Sequence, residues 1–272
     1  MVDKHEQEIK KTIRKTYSKI ALQQHDDNAG SSSSSCCAPG CCSGGEGGGN
    51  SSPTHAAAAV GYETTELESV PQASVLGVGC GAPVKFADLQ EGETVVDLGS
   101  GAGIDVFLSS KRVGTHGRVI GIDMTDEMLE RARINAKEDG YINVEFRKGD
   151  IEKRIPVDEN SVDVVISNCV INLTMNKVDA FKEVYRILKS SGGRMVISDL
   201  VTDSEIIPSD VNAEKWSSCI DGALTKEHYL DSIKKAGFQN VEVLSEILYM
   251  DGGREQVDSR KISSVVIKAV KI

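Results

Sequence analysis

Residues 94–105 read Thr-Val-Val-Asp-Leu-Gly-Ser-Gly-Ala-Gly-Ile-Asp, an apolar run that breaks into a turn with glycine at every second position. Gly99, Gly101 and Gly103 let the backbone reverse sharply and let a ligand approach it closely. The residues that follow, 104–113, have helical periodicity and stop at Gly114. A strand that turns over glycine directly into a helix commits the chain to an α/β domain.

The alternation continues downstream. Strands are predicted at 94–98, 118–123, 143–148, 162–167 and 194–200, with helices at 104–113, 126–138, 178–188 and 226–236, and two final strands at 241–247 and 265–270. The fold class is therefore α/β: a Rossmann-like, doubly wound, seven-stranded and mostly parallel sheet with helices on both faces. Ligands of such sheets bind beyond the carboxyl ends of the strands, which gathers Asp97, Asp123, Asp150 and Cys169 around one crevice.

Ahead of this domain, residues 3–22 place Ile9, Ile13, Tyr17, Ile20 and Ala21 at three-to-four spacing, the pattern of an amphipathic helix with a packing role. From about 28 to 53 the chain turns to Ser, Gly and Cys, too poor in apolar side chains to offset its chain entropy. The expected division is an N-terminal helix and Ser/Gly/Cys-rich segment over 1–60, then one domain over 61–272 with insertions near 61–90 and 200–235.

Composition excludes several function classes. A formal net charge of −10 and an aromatic share of 4% offer neither the basic stripe nor the stacking platforms of a nucleic-acid surface. No run of about 18 apolar residues suggests a membrane span, and the first ten residues lack the apolar centre of a signal peptide. A cytoplasmic monomer is expected. The five histidines are scattered over presumed tails, loops and a helix start, so none is assigned to catalysis.

The acids have a more specific reading. Asp97 stands two residues before the first glycine of a Gly-x-Gly-x-Gly turn, where it would repel a pyrophosphate but suit a cationic amino-acid group. Asp123 ends the second strand, the place from which an acid holds ribose hydroxyls. Asp150 follows the third strand and can accept from an adenine amino group while Ile151 covers the ring. The plainer alternative makes Asp97 and Asp150 turn and cap residues.

Together these residues resemble the class I S-adenosylmethionine-dependent methyltransferases. The resemblance covers roughly residues 90–200 and implies S-adenosylmethionine as cofactor. The implied binding set is Asp97, Gly99, Ser100, Gly101, Gly103, Asp123, Met124, Asp150, Ile151 and Asn168, and the end of the fourth strand would face the sulfonium methyl.

That strand end carries a thiol, Cys169. Cys80 lies in a glycine-lined loop expected to have little core around it, and Cys219 follows the fifth strand. Each can be a small buried hydrophobe instead. Close Cys-x-x-Cys pairs of a zinc site are absent from the folded region, and three scattered thiols suit a three-coordinate soft ion better. Trivalent arsenic is such an ion, and its lone pair can take a methyl group without a general base, which agrees with the absence of an obvious His or Glu by the crevice.

With the motifs Gly61–Pro71, Leu-Gly-Val-Gly-Cys-Gly-Ala-Pro around Cys80, Ser-Asn-Cys-Val-Ile-Asn-Leu around Cys169 and Cys-Ile-Asp-Gly-Ala-Leu-Thr around Cys219, the chain resembles the microbial arsenite methyltransferases. The resemblance implies a metalloid-binding pair at Cys169 and Cys219, with Cys80 as redox partner and possible third ligand. It implies a further thiol that pairs with Cys80, here one of Cys36, Cys37, Cys41 and Cys42, unless these form a tail that scavenges soft metals. Arsenite and methylated arsenicals are the implied substrates, and an external thiol reductant, thioredoxin or glutathione-like, the implied partner. The alternatives are another small-molecule or metalloid acceptor such as antimony, or a non-catalytic arsenite sensor or buffer.

Overall fold

Val95 and Val96 are neighbours in sequence but belong to different cores, one on each face of a sheet. In the computed structural model, which describes residues 4–23, 52–206, 211, 213–250 and 260–272, the elements run α1 (Lys4–Gln23), α2 (Pro53–Ala59), α3 (Thr64–Glu68), β1 (Thr94–Leu98), α4 (Ile104–Val113), β2 (Arg118–Asp123), α5 (Asp126–Glu138), β3 (Val144–Lys148), β4 (Val164–Asn168), α6 (Lys177–Ile187), β5 (Arg194–Thr202), α7 (Ala213–Ser217), α8 (Lys226–Lys235), β6 (Gln239–Met250) and β7 (Ile262–Val270). The strands form one seven-stranded sheet in the order β3-β2-β1-β4-β5-β7-β6. The first five are parallel, and β7 runs antiparallel to both its neighbours.

Inner strands are apolar on both sides because both faces are covered. Val96, Val165 and Ile197 pack under α6 and α8 with Phe181, Val184 and Ile233. Val95, Val164, Ile166 and Val196 pack under α4 and α5 with Val106, Phe107 and Leu129. The expected strands and helices are all present. The last two strands are longer than the sequence suggested, because β6 and β7 pair as an antiparallel ladder with irregular register that continues past the apolar stretch.

Successive strands are laid down on opposite sides of β1, with β2 and β3 on one side and β4 and β5 on the other. The carboxyl ends of β1 and β4 therefore border an open crevice at the switch point. The helix α1 seats Ile9 and Ile13 on the apolar cluster beside this crevice. At its far end, Arg131 of α5 donates to the Ala21 and Ala73 carbonyls. Among the described residues no helix is long and apolar enough to cross a membrane. Cys36, Cys37, Cys41 and Cys42 lie outside the described residues.

Candidate functional site

One crevice reaches from Asp150 and Ile151 past Met124, Asp123 and Asp97 to Asn168 and Cys169. Its floor is the glycine turn, in which Gly99, Gly101 and Gly103 take φ of 68°, 51° and 101°. Gly99, Ser100 and Gly101 are on the wall, whereas Gly103 sits beneath it as the N-cap of α4. The turn orients Asp123 directly: Gly101 N–H donates to one carboxylate oxygen at 3.0 Å and Thr125 N–H to the other at 2.8 Å.

Two residues join this group that the sequence did not single out. Asp105, in the first turn of α4, is 3% exposed and accepts from the Tyr62 hydroxyl through both oxygens, at 2.9 and 2.8 Å. Burial, with the neighbouring Asp105 and Asp123 carboxylates, pushes Asp97 well above the usual range. Burial also raises Asp105 to about 6 against the stabilising bonds from Tyr62 and Asn168. Asp123 is raised by burial too, although the Thr125 and Gly101 amides favour its charged form. Among the described residues no Lys, Arg or His forms an ion pair with any of the three. Two buried acids and a half-buried third, without a cation, make a cradle for a positively charged ligand.

The helix α1 has more to do here than generic packing. Lys10, Ile13 and Tyr17 stand on the crevice wall. Lys10 Nζ lies 3.4 Å from Asp150 and 2.6 Å from Glu152, and burial is the largest influence on it, outweighed by those acids so that its ammonium is favoured. An acid other than aspartate therefore does border the crevice, contrary to the sequence expectation. Asp150 itself also receives the Glu152 amide at 3.1 Å.

Beyond Cys169 the three thiols of the folded domain meet. Cys80, Cys169 and Cys219 are 3%, 7% and 2% exposed and share one apolar cluster with Ile9, Ile13, Leu173 and Leu200. All three are free thiols. Cys80 is thus well buried, where its glycine-lined loop suggested little core. Cys219 Sγ donates to the Cys169 carbonyl at 2.9 Å. The Cys80 and Cys169 sulfurs and an Asp199 carboxylate oxygen lie within 4.8 Å of one another. Hydrogen bonds with Cys219 and Cys80, then burial, push the Cys169 thiol well up, and burial raises Cys80.

Behind the thiols stands a second polar group. Asp199 of β5 is fully buried and accepts from Leu200 N–H at 2.9 Å, Asn172 N–H at 3.0 Å and the Tyr229 hydroxyl at 3.0 Å. Burial raises it to about 6, and burial lowers the nearby Lys177 to about 8. The one sequence signal for Asp199 was an acid inside the apolar run Met-Val-Ile-Ser-Asp-Leu-Val.

Comparison with known proteins gives this geometry a context. Residues 89–237 match the family described as a methyltransferase domain. An arsenite methyltransferase of Halobacterium salinarum is 45% identical over 186 residues, which are 68% of this chain and 47% of that protein. A human arsenite methyltransferase is 37% identical over 170 residues, 59% of this chain and 44% of that protein. The chain spans less than half the length of these curated relatives. The crystal structure of an arsenic (III) S-adenosylmethionine methyltransferase from Chlamydomonas reinhardtii is 32% identical and superposes with a TM-score of 0.65, covering 81% of this chain and 74% of that one.

Proposed function

This chain belongs to the arsenite S-adenosylmethionine methyltransferases, and we propose that it methylates trivalent inorganic arsenic held by Cys80, Cys169 and Cys219. The observation that carries the reading is one cluster of three buried free thiols, drawn from three separate segments, of which Cys169 lines the crevice that holds the acids.

The crevice fits the methyl donor by charge. Asp97 and Asp105 accept the cationic methionine end, and binding a cation relieves the mutual repulsion that raises Asp97. Asp123, held by two backbone amides, presents its carboxylate to the ribose hydroxyls. Asp150 accepts from the adenine amino group and Ile151 covers the ring. When bound there, S-adenosylmethionine supplies an electrophilic methyl group on a sulfonium, the acceptor being the arsenic lone pair.

The thiols load without a change of charge. Arsenous acid carries three hydroxyl groups; each thiol gives its proton to one of them, which leaves as water while an As–S bond replaces an As–O bond. Burial holds Cys80 protonated, and hydrogen bonds with Cys219 and Cys80, then burial, do the same for Cys169; this suits such an exchange, because neither has to be sheltered as a free thiolate in the apolar cluster. The lone pair remains on the side without sulfur, so no general base is needed for transfer.

Methylation leaves arsenic formally pentavalent, and two thiolates return it to the trivalent state by closing a disulfide. An external thiol, thioredoxin or glutathione-like, reopens that bond. One of Cys36, Cys37, Cys41 and Cys42 is the proposed partner of Cys80. A variant with all four changed to Ser should retain a single methyl transfer and lose multiple turnover; undiminished turnover would remove the segment from the cycle.

The reading is tested by measuring S-adenosylhomocysteine released by the reduced protein with and without arsenite, beside Cys169→Ser. Arsenite-dependent release is expected, with a loss of about a hundredfold or more in the variant, because serine is a hard, un-ionised ligand. Arsenite binding without release, or full activity in the variant, would contradict it.

A further inference from the structure

Asn168 ends β4 immediately before Cys169, yet its amide is turned toward a different thiol. Its Oδ1 accepts from the backbone N–H groups of Cys80 at 3.0 Å and Gly81 at 3.3 Å, and its Nδ2 donates to the Gly81 carbonyl at 2.7 Å. The same Nδ2 donates to the Tyr62 hydroxyl at 2.8 Å and lies 3.4 Å from Asp105. One side chain therefore clamps the loop that carries Cys80 and, through Tyr62, touches the acid cradle.

The loop is shaped for this clamp. A Cβ on Gly79 would fall 2.7 Å from Asn168 Nδ2, and one on Gly81 would fall 1.9 Å from Ser198 Oγ. Glycine at both places lets the Cys80 backbone lie directly on the ends of β4 and β5. Two further ties come from β5 and the neighbouring β7: Cys80 Sγ lies 4.0 Å from Ser198 Oγ, and Ser264 Oγ donates to the Cys80 carbonyl at 2.6 Å. Cys80 stands in sequence far from Cys169, so its closeness to that thiol is set by these side-chain bonds and not by a shared element.

We propose that Asn168 is the positioning residue that places Cys80 as the third sulfur ligand, and that its link through Tyr62 to Asp105 makes the position of Cys80 respond to the cation in the acid cradle. When a positive group reaches Asp97 and Asp105, it competes for the carboxylate that now accepts from Tyr62. The adjustment of Tyr62 is passed to the Asn168 amide and so to the loop. Binding of the methyl donor and completion of the three-thiol site are then linked, and each favours the other equally. The assignment of Cys80 as ligand rests on the proposed function; the clamp itself does not.

The test is read first on the protein without arsenic. The reduced full chain is exposed to limiting N-ethylmaleimide, and the modification of each thiol is followed by mass spectrometry. Asn168→Ala should speed modification of Cys80 about tenfold relative to Cys169, since the buried loop loses its clamp. No change at Cys80, or equal acceleration at all three thiols, would overturn the positioning role. In the parent protein S-adenosylmethionine should slow Cys80 modification by about fivefold or more, the scale of a modest coupling between sites. Tyr62→Phe keeps the clamp but removes the hydroxyl relay and leaves only the 3.4 Å contact between Asn168 Nδ2 and Asp105, so Cys80 should stay protected and the response to S-adenosylmethionine should fall to about twofold or less; a response of undiminished size would overturn the link.

Activity supplies the second readout. Asn168→Ala should lower kcat/KM for arsenite about tenfold or more, the cost of a displaced reacting group, while a methylated trivalent arsenical, which needs two thiolates, loses about threefold at most. Equal losses on both substrates would contradict the proposal. If the parent methylates neither substrate, the functional reading falls while the modification rates still decide the clamp.

Discussion

Cys169 and Cys219 both hold φ in the left-handed region, at 59° and 66°. That conformation costs a side-chain-bearing residue about 1–2 kcal/mol, and it persists because Cys169 N–H donates to the Ser198 carbonyl at 2.8 Å and Cys219 N–H to that of Trp216 at 2.9 Å. The positive φ takes Cys169 out of the alternating pleat of β4, so its thiol joins Cys80 and Cys219 instead of the core its parity would choose. A thiol at a strand end was legible in the sequence; the twist that aims it was not, since nothing local demands it. Asp105 was missed for a similar reason, because its partner Tyr62 lies 43 residues away. Its titration nevertheless predicts a measurable property. A cation binds the charged carboxylate, and Asp105 takes up its proton near about 6. Affinity for S-adenosylmethionine should therefore weaken as pH falls below that value, by about tenfold per unit at the limit of one coupled proton. Calorimetric Kd values across this range check it, and affinity that improves on acidification would contradict it. For folding the sign is reversed: Asp105 and Asp199 hold their protons more tightly in the native state than unfolded, so their contribution destabilises as pH rises from about 4 to about 6.

At the level of elements, strands and helices were readable because both faces of the sheet are covered and the apolar runs are long and punctuated by glycine. The amphipathic pattern of α1 was equally plain, but its seat was not, since a helical stripe says that a face is buried without saying against what. In the fold that stripe lies on the thiol cluster, while Lys10 reaches Asp150 and Glu152 and Ser18 Oγ donates to Glu127 at 2.9 Å. The helix is thus a wall shared by the cofactor crevice and the thiol centre. Changing Ile13, 1% exposed, to Asp puts an unpaired charge into that seat and should undock α1 while the sheet stays folded. Expected outcomes are a Kd for S-adenosylmethionine raised about tenfold and faster alkylation of Cys169; unchanged affinity and thiol reactivity would show that α1 is dispensable to the site.

For the whole molecule, the strand order reversing about β1 creates one crevice, and the chain fills its two ends with opposite chemistry. Hard, buried carboxylates that suit a cation occupy one stretch, and soft thiols in an apolar cluster close the other. Asp97, Asp123 and Asp150 could be placed from the sequence because each ends or follows a parallel strand, a position fixed by the fold class alone. Cys169 could be placed there by the same rule, but Cys80 and Cys219 only through the family resemblance, since they arrive on irregular segments whose course depends on Asn168, Ser264 and the Trp216 turn. The proposed function depends above all on the sulfur ligands of the substrate. X-ray absorption at the arsenic edge, on the reduced protein loaded with one equivalent of arsenite, should show arsenic bound by three sulfurs and no oxygen, with one sulfur replaced in Cys80→Ser and in Cys169→Ser. An arsenic that keeps its oxygen ligands, or whose sulfur shell is untouched by both substitutions, would contradict it.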